Sequence, residues 1–426
     1  MDEKKRFGPG FFTLLSLPAT AMGFALSVQI SALSWILITQ LGLSNERMGQ
    51  VWAAGPIAGI LAQVVIGFIS DRVWFWNGRR RPFILIGGFT ATLMLLALPN
   101  ISKIAAFFHT DVFPVAACVA LVLDLAINLG FNPTRSIIAD VTPEGKVRTQ
   151  GFTWMQTVSG TFGVLAYAVA VTWNNYALIY TGVVLVFCFA MFPPLFIKEP
   201  RELNVAADPG AEIAPAGPSQ TGEMLKIYVA HAFTWFGVQT MFVYMVPFLK
   251  WKIGSTLHLS DDQIGQTQAG AFLVLNLVAA LLPALGLEPM ARSLGRVRTH
   301  ALCLFVMAAG YLGIATIGTT PAMLYALMAV AGVGWAATVS LPFAIFSEKV
   351  DRAKMGTYMG IFNLSVVLPQ LLVSLKLGKI VDDAADKNII FFICAASLAI
   401  SSVLWLFVKE QRGASTPSAI GGGGHH

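Results

Sequence analysis

The sequence predicts an all-α membrane protein, a bundle of transmembrane helices built as two pseudo-symmetric halves. Three observations carry that prediction. Of the 426 residues, 56% are hydrophobic and only 12% are charged, whereas a soluble domain carries about a quarter charged residues. Apolar stretches of about 18 residues or more recur along nearly the whole chain, which is the length a helix needs to cross the hydrocarbon core. Two segments, one from each half of the chain, also match each other without a gap at an offset of 204 residues.

Twelve helices follow in order, over 11–41, 50–70, 83–100, 113–139, 150–173, 177–197, 225–249, 262–287, 300–318, 321–346, 355–377 and 388–408. The first run, Phe11 to Leu41, is too long for a cleavable signal peptide and lacks a small-residue cleavage site, so it stays as the first span. The fourth starts near Pro114, a residue type favoured in a helix's first turn. An even number of spans puts both termini on one side. The segments on that side hold 20 of the 28 Lys and Arg residues, the opposite segments hold seven, and Arg135 lies within a helix. That bias places both termini in the cytoplasm. The net charge of +6 is thereby a consequence of topology, and no nucleic acid partner is implied.

Between the sixth and seventh helices, Lys198 to Glu223 is rich in Ala, Pro and Gly and has no hydrophobic periodicity. It reads as a flexible linker. The organisation is therefore a first six-helix half (1–197), a cytoplasmic linker (198–224), a second six-helix half (225–412) and a tail (413–426) whose "GGGGHH" is a tag remnant. The four cysteines, Cys118, Cys188, Cys303 and Cys394, all lie in apolar stretches without paired spacing, and read as packing residues. No metal site and no cofactor is expected. Short loops and an untargeted N-terminus suggest a bacterial inner membrane, and the chain is expected to act in that lipid bilayer as a monomer.

The internal match aligns "GFNPTRSIIADVTPEGKVRTQGFTWM" from Gly130 with "GWAATVSLPFAIFSEKVDRAKMGTYM" from Gly334. Thr134 meets Thr338, Ser136 meets Ser340, Glu144 meets Glu348, Arg148 meets Arg352, Thr153 meets Thr357 and Met155 meets Met359. Duplicated halves with a binding site between them, near the bilayer midplane, are the usual build of a secondary transporter.

The second predicted helix runs into "GFISDRVWFWNGRRRPFI", Gly67 to Ile84. Gly, Asp and a basic cluster in this loop resemble the signature of the major facilitator superfamily. Gly67 permits close helix approach, and Asp71 can meet a helix N-terminus or pair with Arg79, Arg80 and Arg81 to lock the cytoplasmic side. The alternative is that these arginines only anchor topology. Neighbouring stretches narrow the resemblance. "GPIAGILAQVVIGFISDRVWFWNGRRRPFI" and "LDLAINLGFNPTRSIIAD" resemble the sucrose-transporter branch of the glycoside–cation symporters, and "HAFTWFGVQTMFVYMVPFL" and "GIFNLSVVLPQLLVS" are similar to that family's seventh and eleventh helices. The resemblance implies a proton-coupled symporter of a disaccharide such as sucrose or maltose. It puts the proton-coupling role on Asp124 and a sugar-binding role on Arg135. "GLSNERMG", the first external loop, lacks the histidine that plant members carry.

The fourth helix supports this from its own geometry. Asp124 lies about ten residues in, ~15 Å deep at 1.5 Å per residue, roughly the bilayer centre. Asn128 is one turn further and Arg135 eleven residues further, and at about 100° per residue all three share one face. A charge facing lipid there would cost at least ~2.5–3.5 kcal/mol, so the face must look into a polar cavity or a partner helix. Burial disfavours the ionised form of Asp124. A carboxyl that is neutral when dry and ionised when wet is a proton carrier. Arg135 can alternatively snorkel as a cytoplasmic anchor.

A neutral disaccharide needs side-chain donors and acceptors plus aromatic rings against its apolar faces. Asn363 and Gln370 share one face of the eleventh helix, Asn276 sits in the eighth, and Trp235 in the seventh can serve as a ring platform or as packing. Thr20, Ser27, Ser31 and Ser34 form a stripe on the first helix that suits either sugar contact or tight helix packing. His231 reads as a polar packing residue. No nucleophile–base pair or His/Glu metal motif marks an enzyme. The competing task on the same fold is proton-coupled export of amphipathic small molecules, which calls for a more apolar site than these amides make.

Overall fold

The computed structural model describes residues 7–60, 73–143, 145–201, 220–350 and 355–410. Asp71, Glu144, Arg352 and most of the predicted linker lie outside them. The described chain is helical, and ten of its helices are long and apolar enough to cross a membrane. We number the helices α1 (Pro9–Gln40), α2 (Asn45–Trp52, helical again over 54–60), α3 (Arg81–Phe107), α4 (Val112–Val141), α5 (Lys146–Thr172) and α6 (Asn175–Phe196). The second set is α7 (Thr221–Leu257), α8 (Asp261–Leu282), α9 (Arg296–Ile317), α10 (Pro321–Ser347), α11 (Met355–Leu372, prolonged to Asp383) and α12 (Ile389–Trp405). The order follows the twelve predicted spans.

Helix ends are set by local chemistry. At the end of the bundle opposite the termini, side chains satisfy the first-turn N–H groups that a helix leaves unpaired. Ser44 accepts from the Arg47 N–H at 3.3 Å, Asp111 from Phe113 at 3.0 Å, Asn174 from Ala177 at 2.8 Å and Thr320 from Met323 at 3.3 Å. Ser260 and Gln263 form a reciprocal capping box at the start of α8. Several helices outrun their hydropathy limits. α7 starts at Thr221 rather than 225 and ends at Leu257 rather than 249, and α3 continues to Phe107. Hydropathy marks the bilayer border, whereas hydrogen bonding carries the helix beyond it.

The two halves repeat one device at the end that bears the termini. Glu199, just past α6, accepts from the backbone N–H groups of Arg79, Arg80 and Arg81 at 2.7, 2.8 and 2.8 Å, capping α3. Glu410, just past α12, accepts from those of Arg296 and Val297 at 2.8 and 3.0 Å, capping α9. A Cβ at Gly78 would come within 2.6 Å of Glu199, and one at Gly295 within 2.7 Å of Glu410. Gly295 also has φ +89°, so both loops need glycine for the carboxylate to reach the helix end.

Contacts between the halves cluster at the opposite end. The Trp35 indole N–H donates to the Asp261 carbonyl at 2.7 Å, the Ser34 hydroxyl to the Val243 carbonyl at 2.9 Å and the Gln266 amide to the Trp173 carbonyl at 2.7 Å. Asp382 at the end of α11 accepts from the Asn45 N–H, the Asn45 amide and the Glu46 N–H at 3.1, 2.7 and 2.9 Å. Two glycines let α2 and α11 touch there. A Cβ at Gly49 would sit 2.4 Å from the Ser374 carbonyl oxygen, and one at Gly378 would sit 2.5 Å from that of Asn45. At the same end, α1, α7 and α11 widen to single π turns at Ile36–Gln40, Lys250–Gly254 and Val373–Leu377. Such turns in α-helices are frequent where function is sited.

Candidate functional site

α4 carries Asp124 into the interior, where it is only 7% exposed. It is held against α1, with the Gln29 amide donating to Asp124 Oδ2 at 2.8 Å. On the α2 side, a Cβ at Gly55 would lie 3.5 Å from both carboxyl oxygens, so glycine leaves the carboxyl its space. Asn128, one turn along, donates its amide to the Asp124 backbone carbonyl at 2.8 Å and is half-buried. Arg135 is exposed, with its guanidinium 5.2 Å from the centre of the Phe131 ring. The face shared by Asp124, Asn128 and Arg135 thus runs from a packed interior to an open stretch nearer the termini. A partner helix meets Asp124, and the residue it offers is a neutral amide.

The other half contributes an aromatic wall. The Trp235 indole donates to His231 Nε2 at 2.9 Å, and its ring meets Trp335 edge-on at 6.1 Å. Trp335 of α10 donates to Asn276 Oδ1 at 3.3 Å, while Asn276 donates to the Phe272 carbonyl at 2.8 Å. The rings continue from Trp335 to Phe242 at 5.6 Å, to Phe272 at 5.4 Å and to Tyr167 of α5 at 5.9 Å. The Tyr167 hydroxyl lies beside Ser27, two residues from Gln29 on α1. Edge-to-face rings hold one another rigidly, and an indole with a fixed N–H offers a firm flat surface. Trp235 and Asn276 are therefore brought together, joined by Trp335. Asn363 and Gln370 lie half-buried on α11, the helix beside α7.

Other candidates fall elsewhere. Thr20, Ser31 and Ser34 are fully buried, and their hydroxyls tie α1 to its neighbours through Ser159, Asn175 and Val243. The stripe packs helices. His231 is buried and stacked on Phe362 at 4.8 Å, a packing place. Arg80 forms a buried ion pair with Asp140 at 3.0 Å. Arg81 donates to the Ile197 carbonyl at 2.6 Å, and the backbone of Arg79 joins the Glu199 cap. All three arginines sit at the terminus-bearing end, away from Asp124.

Residues missed from the sequence are Gln29, Trp335 and a threonine stripe on α5. Gln29 lies between the stripe hydroxyls but off their register. Trp335 directly follows Gly334, the residue that opened the internal match. Thr149, Thr153, Thr157 and Thr161 recur every four residues and are exposed, each hydroxyl donating to the carbonyl one turn back. A polar row on a helix of this depth calls for something other than lipid to face.

Comparison with known proteins agrees with this architecture. The chain is 26% identical over 431 residues to the sucrose transport protein SUC4 of Arabidopsis thaliana, covering 86% of this chain and 83% of that one. It is 25% identical over 498 residues to the sucrose transport protein SUT1 of Oryza sativa subsp. japonica, covering 98% and 91%. Among solved structures it resembles a D-xylose-proton symporter with a TM-score of 0.71 at 15% identity, covering 95% and 99%. It also resembles the nucleoside transporter NupG, with a TM-score of 0.71 at 14% identity, covering 93% and 98%. Residues 15–374 match the family model of that fold, and the chain belongs to the Major Facilitator Superfamily.

Proposed function

We propose that this chain is a sugar transporter, and more specifically a proton-coupled symporter that imports a disaccharide of the sucrose or maltose type by alternating access. The family is one of transporters, and the plant relatives are sucrose transport proteins. The observation that carries the coupling is Asp124, a carboxyl buried at mid-helix against a neutral amide. An ionised carboxylate there has shed its water without gaining a cation, which is costly, so the dry state favours the neutral acid. The protonated, sugar-loaded protein can then reorient, while the bare anion resists. No bound cofactor is needed, because the proton gradient drives accumulation.

In this reading the sugar lies between α4 and the aromatic wall. Trp335 and Trp235 meet its apolar faces, Asn276, Asn363, Gln370 and Asn128 offer amides to its hydroxyls, and Arg135 contacts it from the terminus-bearing side. Arg79, Arg80 and Arg81 with Asp71 serve the gate at that side. The chain works as a monomer in a cell inner membrane with both termini cytoplasmic. The cluster of inter-half contacts at the opposite end then corresponds to an external gate that is shut.

The test is uptake of radiolabelled sucrose and maltose into proteoliposomes, with and without an inward proton gradient. Asp124→Asn should abolish gradient-driven accumulation while sugar exchange down its gradient persists. Accumulation retained by the variant, or sugar uptake indifferent to the gradient in the wild type, would overturn the reading.

A further inference from the structure

We propose that Gln29 is the positioning residue for the Asp124 proton: its amide serves the ionised carboxylate as donor and the protonated carboxyl as acceptor. The inference rests on the proton-coupling reading of Asp124 given above, and adds the group that makes the protonation change possible without a countercharge.

Two observations carry it. The amide N–H donates to Asp124 Oδ2 at 2.8 Å, between side chains that are 2% and 7% exposed. The other end of the same amide, Gln29 Oε1, is buried and has no hydrogen-bond partner. Buried polar atoms are rarely left so, and each such atom asks for a reason. An amide carries a donor end and an acceptor end of nearly equal size. Turning it about its last side-chain bond exchanges the two in place. When Asp124 gains a proton, its O–H donates to Oε1, the end that has no partner in the ionised arrangement, and the –NH2 end takes the place that Oε1 leaves. When the proton leaves, the amide turns back and donates. A lysine or arginine here would hold the carboxylate ionised, and an apolar side chain would hold it neutral. The amide supports both states.

The surroundings leave Gln29 in sole charge of this choice among the described residues. α4 packs against α1, α2, α3 and α5. α1 contains no acidic, basic, histidine, tyrosine or cysteine residue between Pro9 and Gln40. Glu46 and Arg47 lie at the far tip of α2, and Arg81 and Lys103 lie near opposite ends of α3. Lys146 and Arg148 open α5, whose Tyr167 is turned to Ser27. On α4 itself, Asp111, Cys118, Arg135 and Asp140 are each more than one turn from Asp124.

The experiment measures the pH profile of radiolabelled sucrose uptake by the full chain in proteoliposomes, comparing wild type, Gln29→Met and Gln29→Glu. Gln29→Met keeps the length and removes both polar ends. Without a donor to the anion, the proton is retained to higher pH, and the alkaline limb of the profile should move up by on the order of one pH unit, since a hydrogen bond to a charged group is worth about one unit. Gln29→Glu places two carboxyls in one pocket, and the limb should move further the same way. A purely structural role would lower uptake at every pH and leave the limb in place; that result in either variant overturns the proposal. Should Gln29→Met fail to fold, Gln29→Glu carries the test, with sucrose exchange at acid pH reporting that the protein is intact. The two levels separate cleanly. Asp124→Asn that still accumulates sucrose removes the proton reading itself, whereas an inert Asp124→Asn with an unmoved Gln29 profile removes only the role of Gln29.

Discussion

Replacing Asp382 by alanine should open the end of the bundle opposite the termini. This carboxylate joins the halves by accepting three N–H groups at the start of α2, at 2.7–3.1 Å. It therefore combines hydrogen bonds to a charge with a negative group at a helix N-terminus. Deep in a protein such bonds would be worth about 1.5–3 kcal/mol each. Asp382 is exposed, however, and water competes for the same donors. The loss of a capping carboxylate costs about 1 kcal/mol, and its interaction with the helix dipole adds about 0.3–1 kcal/mol. A total near 2 kcal/mol is about a 30-fold change in the ratio of the two states, so an open form held at about one in a hundred should rise to about one in four. Ser44 still caps α2 locally, so the helix itself survives the substitution. The assay is pulsed EPR between spin labels at positions 50 and 379, in a background with the four cysteines replaced. A second, longer distance should grow in the variant. Asp382→Asn, which retains one acceptor, should give about half the energetic effect. An unchanged distance distribution in Asp382→Ala would refute the claim that this contact holds the halves together.

Other perturbations follow from the same contacts. Gly49→Ala or Gly378→Ala inserts a Cβ within 2.4–2.5 Å of backbone oxygen across the same interface, so each should also lengthen the EPR distance without altering any charge. Glu410→Gln should weaken the α9 cap by about 1 kcal/mol, seen as a lower midpoint in thermal unfolding of the detergent-solubilised protein. Trp335→Leu removes the central ring of the wall and its bond to Asn276; half-saturation for sucrose should rise about tenfold, the worth of an aromatic contact of about 1–1.5 kcal/mol. Arg135→Lys keeps the charge but loses the planar fork, and should raise half-saturation while leaving the pH profile in place.

What could be read from the sequence, and what could not, divides along a physical line. Spans 11–41, 113–139 and 321–346 were legible because a bilayer imposes a length and a polarity on every helix that crosses it. The interior placement of Asp124 was legible because a charge at that depth cannot face lipid cheaply. Gln29 was not. A lone glutamine in "ALSVQISALS" carries no charge, and whether it matters depends on which helix faces it, a relation spanning 95 residues. The stripe Thr20, Ser27, Ser31 and Ser34 had the right period for a sugar face, but a period specifies a face and not its partner; the partner proved to be α5, α6 and α7. Trp335 was hidden for a similar reason, since one indole in an apolar helix looks like packing until Asn276 is found beside it.

The same distinction explains how the two halves can be alike and yet divide the work. Their shared features are those that any six-helix unit of this shape needs: a glycine loop and a glutamate to cap its third helix, and a hydroxyl buried in its fourth. Thr134 and Thr338, paired in the internal match, each donate to a carbonyl of their own helix and are buried to the same degree. The chemistry lies where the match breaks. α4 carries Asp124, and adding 204 arrives not at an acid but at Met328, fully buried and apolar. Across from it, α10 carries Trp335, whose counterpart in α4 is Phe131, the ring beneath Arg135. One half thus holds Asp124 and the other most of the aromatic wall, so under the proposed function a proton on the first is sensed by a sugar on the second only when the two come together. On that proposal, coupling between proton and sugar is a property of the interface between the halves.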